Sequence, residues 1–232
     1  METTELSTNK KAWQEAYEVI LANILNLSIK PGEAVTEIAL SERFGIGRTP
    51  VREALKRLEQ EGLIVTHNAR KRVYILSIKE IEEIFDLKAA IEGRVAKWAA
   101  QRGSDDDFAE LHVIQEEMKL FLASRQTEQK DEDAWLQQWL ELDRRLHAHL
   151  FRMADNKRSE SVVKNLNVQW HRLKVGILAM EGRIDKTVAE HQQFVGAILA
   201  KQADLAEQQM TDHLDNLKRE LVKLLRVYHY PA

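Results

Sequence analysis

Gly47-Arg48-Thr49-Pro50-Val51-Arg52-Glu53-Ala54-Leu55-Lys56-Arg57-Leu58-Glu59-Gln60-Glu61-Gly62-Leu63 is the stretch whose reading decides the fold. Wound as a helix at about 100° per residue, it places Val51, Ala54, Leu55 and Leu58 in one arc, with Arg48, Arg52 and Lys56 in a row beside it. Thr49 stands next to that row. Pro50 falls in the first turn, where its missing N–H costs nothing, and Gly62 falls where a glycine ends a helix. An apolar face edged by a basic stripe suits a DNA major groove: arginines bond base edges bidentately, and the first turn meets phosphates. An ordinary surface helix can show the same wheel, so the flanking segments decide.

Upstream, Trp13 to Leu27 carries apolar residues at Ala16, Tyr17, Ile20, Leu21, Ile24 and Leu27, a helical period. Pro31-Gly32 turns the chain, and Thr36 is placed to cap a short second helix ending at Phe44. Gly45-Ile46-Gly47 is a tight turn before the opening stretch. Short helix, glycine turn and basic-fronted helix make a helix-turn-helix. Downstream, Leu63 to Thr66 and Val73 to Ile75 read as two strands around a basic tip, His67 to Arg72. That hairpin is the wing of a winged helix, with Arg70, Lys71 and Arg72 set to touch the DNA backbone or minor groove.

The segment from Glu37 to Leu63 closely resembles the winged-helix head of GntR-family transcription regulators, above all through the unbroken Arg48-Thr49-Pro50-Val51-Arg52-Glu53-Ala54-Leu55. The resemblance implies operator contacts from Arg48, Thr49 and Arg52, with the wing tip beside them. Pro50, Lys56, Arg70 and Lys71 complete the expected DNA-facing set. Two positions depart from the family: Gly47 replaces the usual Ser or Thr at the helix cap, and Arg70 replaces a wing glycine.

Composition agrees with a helical regulator. The 232 residues are 44% hydrophobic and 31% charged, with three prolines and nine glycines, which favours long helices over a β-sandwich. The absence of cysteine excludes disulfides, thiolate metal sites and a thiol nucleophile. No apolar run is long enough to span a membrane, and no signal-peptide core opens the chain, so a cytoplasmic protein without a membrane partner is expected. Residues 10–77 hold 11 Lys/Arg against 8 Asp/Glu, whereas residues 78–232 hold 23 against 27. A mildly basic head on an acidic body fits a DNA reader joined to something else.

The expected organisation is therefore mainly α: a disordered tail over 1–9, a winged helix-turn-helix over 10–77 and an antiparallel six-helix bundle over 78–232. Ser77-Ile78-Lys79-Glu80 is a capping box opening the bundle. Helices are predicted at about 79–101, 105–123, 131–154, 158–180, 185–201 and 203–227, with short connections that imply antiparallel neighbours.

Histidine placement carries the chemistry of the body. Asp143 and His147 stand four apart on one helix face. His191 and His213 are equidistant from the turn near residue 202, which brings them to one height in an antiparallel hairpin. One carboxylate and three imidazoles form a candidate divalent-metal site, Zn²⁺ first, with Ni²⁺, Mn²⁺ or Fe²⁺ as alternatives. By contrast, His112, His149 and His229 read as surface or internally satisfied residues.

Asp143-x-x-x-His147, Glu190-His191, Asp204 and Met210-x-x-His213-Leu214 together look like the metal-binding pattern of the FadR-type effector domain, in its six-helix, VanR-like form. Lys88, four residues before Glu92, stands where that branch commonly has Arg. The same turn arithmetic places Asn167, His171 and Lys174 near the metal's level, and with Lys88 they are the candidate pocket for an anionic small molecule such as an organic acid. The resemblance implies a homodimeric regulator, most often a repressor, on a pseudo-palindromic operator. A metal sensor, with the ion as the signal, is the alternative. A metalloenzyme fits less well, because no His-Glu-x-x-His helix and no paired Glu-x-x-His motif is present.

Overall fold

The computed structural model describes residues 2–127, 132–178 and 182–227. It divides into two compact units, Met1–Leu76 and Ser77–Ala232.

The first unit contains α1 (Glu2–Leu25), β1 (Ala34–Val35), α2 (Glu37–Phe44), α3 (Arg48–Gln60), β2 (Ile64–His67) and β3 (Arg70–Val73). Helix α1 is continuous from Glu2, so residues 2–9, expected as a disordered tail, continue it. Neither proline nor glycine interrupts them. Thr36 caps α2 by accepting a bond from the Ala39 amide at 3.1 Å. Helix α3 buries the expected Val51, Ala54, Leu55 and Leu58 against Ala16, Ile20 and Ile24 of α1. It ends in a Schellman motif: the Leu63 amide reaches the Leu58 carbonyl at 2.9 Å and the Gly62 amide reaches Glu59 at 3.1 Å, with Gly62 at φ 74°.

The wing differs from expectation in register. Strands β2 and β3 pair antiparallel with His67 opposite Arg70, so the tip is only Asn68-Ala69, at φ 49° and 59°. Two left-handed residues make the tight connection whose twist matches the strands. Arg70, Lys71 and Arg72 therefore lie on β3 and not in the tip loop. Their charge masked the strand in the sequence, yet every second residue (Lys71, Val73) turns toward the protein. The two-residue β1, which pairs with the other edge of β3, was not legible at all.

Among the described residues the second unit holds the six expected helices: α4 (Ile78–Arg102), α5 (Asp105–Thr127), α6 (Glu132–Ala154), α7 (Lys157–Leu178), α8 (Arg183–Leu199) and α9 (Ala203–Val227). Residues 128–131 and 179–181, over which two of the breaks were placed, lie outside the described residues, as does His229. Ser77 and Glu80 form the capping box, with bonds of 3.2 Å and 2.9 Å. Helix α4 runs against α9 along most of its length. Gly93 permits that approach, since a Cβ there would stand 2.5 Å from Thr211 Oγ1 and 3.3 Å from the Glu207 carbonyl. Phe85, Trp139 and Phe194 are fully buried and wall the middle of the bundle. No described helix is long and apolar enough to cross a membrane.

Candidate metal centre and nucleic-acid interface

Helices α6, α8 and α9 bring the four predicted ligands together. Donor atoms of Asp143, His147 and His191 lie within 4.8 Å of one another. His213 stands beside them, its ring 4.6 Å from that of His191. Asp143, His147 and His213 line one cavity of about 30 Å³ with Trp170, Lys174 and Thr187.

Each imidazole is held from outside through Nδ1. His147 Nδ1 lies 3.0 Å from Glu92 Oε2, His191 Nδ1 lies 2.7 Å from the Thr187 carbonyl, and His213 Nδ1 lies 2.8 Å from Glu190 Oε2. A carbonyl only accepts, and so does an ionised carboxylate. Burial pushes both glutamates up, but Lys88 and His147 at Glu92, and His213, Arg183 and Asn216 at Glu190, bring both below the ordinary carboxylate value. The three Nδ1 atoms therefore carry protons, and the Nε2 atoms are left to face the interior. This outward bonding is the arrangement that orients metal-ligating histidines.

The donor set also passes a test of charge. Burial lowers the pKa of His191, and burial brings that of His213 down to about 4, so both rings are neutral near pH 7. Asp143 is ionised: burial alone would raise its pKa, but the Lys174 ammonium beside it holds it well below the usual range. His191 Nε2 then turns a lone pair toward Asp143 Oδ1 at 3.1 Å. A cation bound by both atoms would relieve that facing of two acceptors. The residues present fit a divalent ion held by one oxygen and up to three nitrogens.

The four residues expected to form an effector pocket are not brought together as one. Lys174 reaches the cavity and pairs with Asp143 Oδ2. Lys88 and Asn167 instead bond each other at 2.5 Å, and Lys88 also bonds Glu92 at 2.5 Å, so they support His147 from behind. His171 is not among the residues lining the cavity, and its neighbour Trp170 takes that place while bonding Asn167 at 3.1 Å. Turn arithmetic fixes height along a helix pair but not rotation about an axis, which explains the exchange of His171 for Trp170. Glu92, Thr187 and Glu190 were missed as supports: Glu92 and Glu190 reach their histidines from other helices, and Thr187 acts through its backbone carbonyl, so no side-chain pattern signals them. His149 is satisfied internally, bonding the Asp107 carbonyl at 2.8 Å. Asp204 pairs with Lys97 at the surface.

In the first unit, Arg48, Thr49, Arg52 and Lys56 are exposed along α3, and Pro50 sits half-buried in its first turn. Gly47 caps that helix with no side-chain bond, as its lack of a side chain requires. Glu53 holds Lys56 at 2.9 Å and lies 3.9 Å from Arg52. Of the wing residues, Arg70 is exposed, whereas Lys71 is occupied by Glu59 and Thr66 and Arg72 bonds the Gly32 carbonyl at 2.8 Å.

A winged helix-turn-helix followed by a helical bundle defines a class of DNA-binding transcription regulators. The model for gntR-family bacterial regulatory proteins matches residues 13–75, and that for the FCD domain matches residues 83–216. The chain belongs to the GntR family of transcription regulators, with an FCD domain as its body. It is 25% identical over 224 residues to the HTH-type transcriptional repressor RspR of Escherichia coli K12, covering 96% of this chain and 94% of that one. It is 25% identical to the gluconate operon transcriptional repressor of Bacillus licheniformis, over 87% and 81% of the two chains. Among solved structures it shares its fold with E. coli McbR/YncC, at TM-score 0.70 and 19% identity over 92% and 98% of the chains. These relatives are regulators and not enzymes.

Proposed function

We propose that this regulator binds a pseudo-palindromic operator as a homodimer through Arg48, Thr49 and Arg52, and that a small carboxylate controls it from beside a divalent ion in the body. Asp143, His147, His191 and His213 hold the ion, Zn²⁺ being the best match to a three-imidazole, one-carboxylate set. The ion supplies a Lewis-acidic point of attachment for an anion. The chain supplies the rest: Glu92, Thr187 and Glu190 orient the rings, and Lys174 adds a second positive charge at the cavity. The observation that carries the reading is the outward bonding of all three Nδ1 atoms around a buried, ionised Asp143.

A second reading has its own support. The cavity of about 30 Å³ accepts an ion or a water, whereas small-molecule sites measure roughly 300 Å³ or more. In that reading the ion itself is the signal. Operator DNA selected from a random pool, followed by fluorescence anisotropy with chelated and Zn²⁺-loaded protein, separates the two. With a carboxylate effector, chelation leaves operator affinity alone but abolishes the response to an acid that shifts it by roughly 5- to 150-fold. If chelation alone changes operator affinity, the ion is the signal. If a panel of mono-, di- and tricarboxylates changes neither operator affinity nor the melting temperature of the loaded protein, the effector reading fails.

A further inference from the structure

Three cations lie around the cluster, and they are not equivalent. Lys88 is committed to Glu92, and Arg183 lies 2.8 Å from Glu220 and 3.6 Å from Glu190; none of these carboxylates belongs to the ligand set. Of these three cations only Lys174 pairs with a ligand: its Nζ sits on Oδ2 of Asp143, while Oδ1 faces His191 and His147. Its side chain is 24% exposed, against 4% for Lys88 and 4% for Arg183, so it has a path to solvent that the other two lack. His171, three residues earlier on the same helix, has its pKa lowered by burial and then by Lys174 itself, so it brings Lys174 no counter-charge.

We infer that Lys174 is a built-in competitor for the metal position, neutralising Asp143 when no ion is bound and released from it when the ion arrives. The inference rests on reading the cluster as a metal site. A divalent ion on Asp143 cannot share that carboxylate with an ammonium group without strong mutual repulsion in a buried setting. Lys174 therefore swings away along its four-carbon stem, which both enlarges a cavity otherwise too small for an organic acid and leaves an ammonium without a counter-charge beside the ion. An anion answers both charges at once. Metal and anion accordingly bind with positive cooperativity, and Lys174 lowers metal affinity until an anion relieves it.

The test uses the full chain, stripped by chelator, and Zn²⁺ titrated against a chromophoric competitor, with and without acetate as the probe anion. Lys174→Met is expected to bind Zn²⁺ about tenfold more tightly or better in the absence of acetate, because the competing charge is gone. Acetate strengthens Zn²⁺ binding to the wild type and has a smaller effect on the variant. Since the metal-free variant leaves Asp143 unpaired, Lys174→Gln is run beside it, and the Zn²⁺-induced rise in melting temperature is read for both. That rise is larger in the variants than in the wild type. Equal or weaker Zn²⁺ binding by folded variants, with no larger rise, overturns the inference while leaving the metal site standing. Failure of folded wild type and variants alike to bind Zn²⁺ overturns the metal reading itself, and the inference with it.

Discussion

Glu92 Oε2 lies 3.0 Å from His147 Nδ1, while Oε1 of the same carboxylate takes Lys88 at 2.5 Å. One buried acid thus fixes a candidate ligand on α6 from α4 and is itself neutralised one turn away. Removing only Glu92 would leave Lys88 buried without a counter-charge, at a cost of about 3–5 kcal/mol. Replacing both, as Lys88→Met with Glu92→Gln, removes the charge pair while keeping the volume. Zn²⁺ affinity should then fall about 10- to 100-fold, as expected for loss of an outer partner of a metal-bound imidazole. Competition titration reads it, and an unchanged affinity would show that Glu92 does not orient the ring.

The close passage of α4 over α9 at Gly93 makes a second expectation. Gly93→Ala forces Thr211 to abandon its 2.9 Å bond to the Glu207 carbonyl and presses on that carbonyl directly. The strain should cost about 1–3 kcal/mol in chemical denaturation. Adding Thr211→Ala removes the nearer clash, so the double variant should recover part of the loss. Simple additivity of the two changes would exclude a contact between them.

On the DNA side, Arg52→Ala should cost about 1–3 kcal/mol on the preferred operator and relax sequence preference, whereas Lys56→Ala should weaken binding evenly across sequences. Anisotropy on operator and scrambled DNA separates the two. An Arg52→Ala protein that keeps the wild-type preference would remove Arg52 from the base-reading set.

Glu59 ties α3 to the wing through Lys71 and Thr66, and the bonds from both lower its pKa from 4.5. A carboxylate with a depressed folded pKa contributes stability that is fully present above its unfolded value and is lost as pH falls through the folded one. The tie should therefore hold at pH 7 and weaken only below about 4.5. Because Glu59 is largely solvated, its contribution should stay under about 1 kcal/mol. Glu59→Gln should flatten the acid limb of the stability curve slightly and, by freeing Lys71, steepen the salt dependence of DNA binding. A variant with the wild-type salt slope would show that Lys71 makes no phosphate contact even when free.

Much of this was written in the chain. The α3 wheel predicted its four buried residues because an apolar arc at helical spacing has few other uses. Ser77 and Glu80 marked the start of the body because a capping box is a local structure. The symmetry of His191 and His213 about residue 202 worked because a hairpin of two long helices is nearly rigid in register. What escaped depended on rotation and non-local pairing. Trp170 replaced His171 because their height was legible and their azimuth was not. Strand β1 is two residues long and is held by its pairing with β3, which no local pattern announces. Glu190 was legible only as the neighbour of His191 and Glu92 only as the partner of Lys88 until packing set them against His213 and His147.

The central claim is that Asp143, His147, His191 and His213 hold a divalent ion, and the metal content of the full chain tests it most directly. After chelation, exchange into metal-free buffer and re-addition of Zn²⁺, elemental analysis should find one ion per wild-type chain. A folded Asp143→Asn, His191→Gln, His213→Gln variant should retain none. A wild-type chain that keeps no ion, or a variant that keeps as much, would contradict the account.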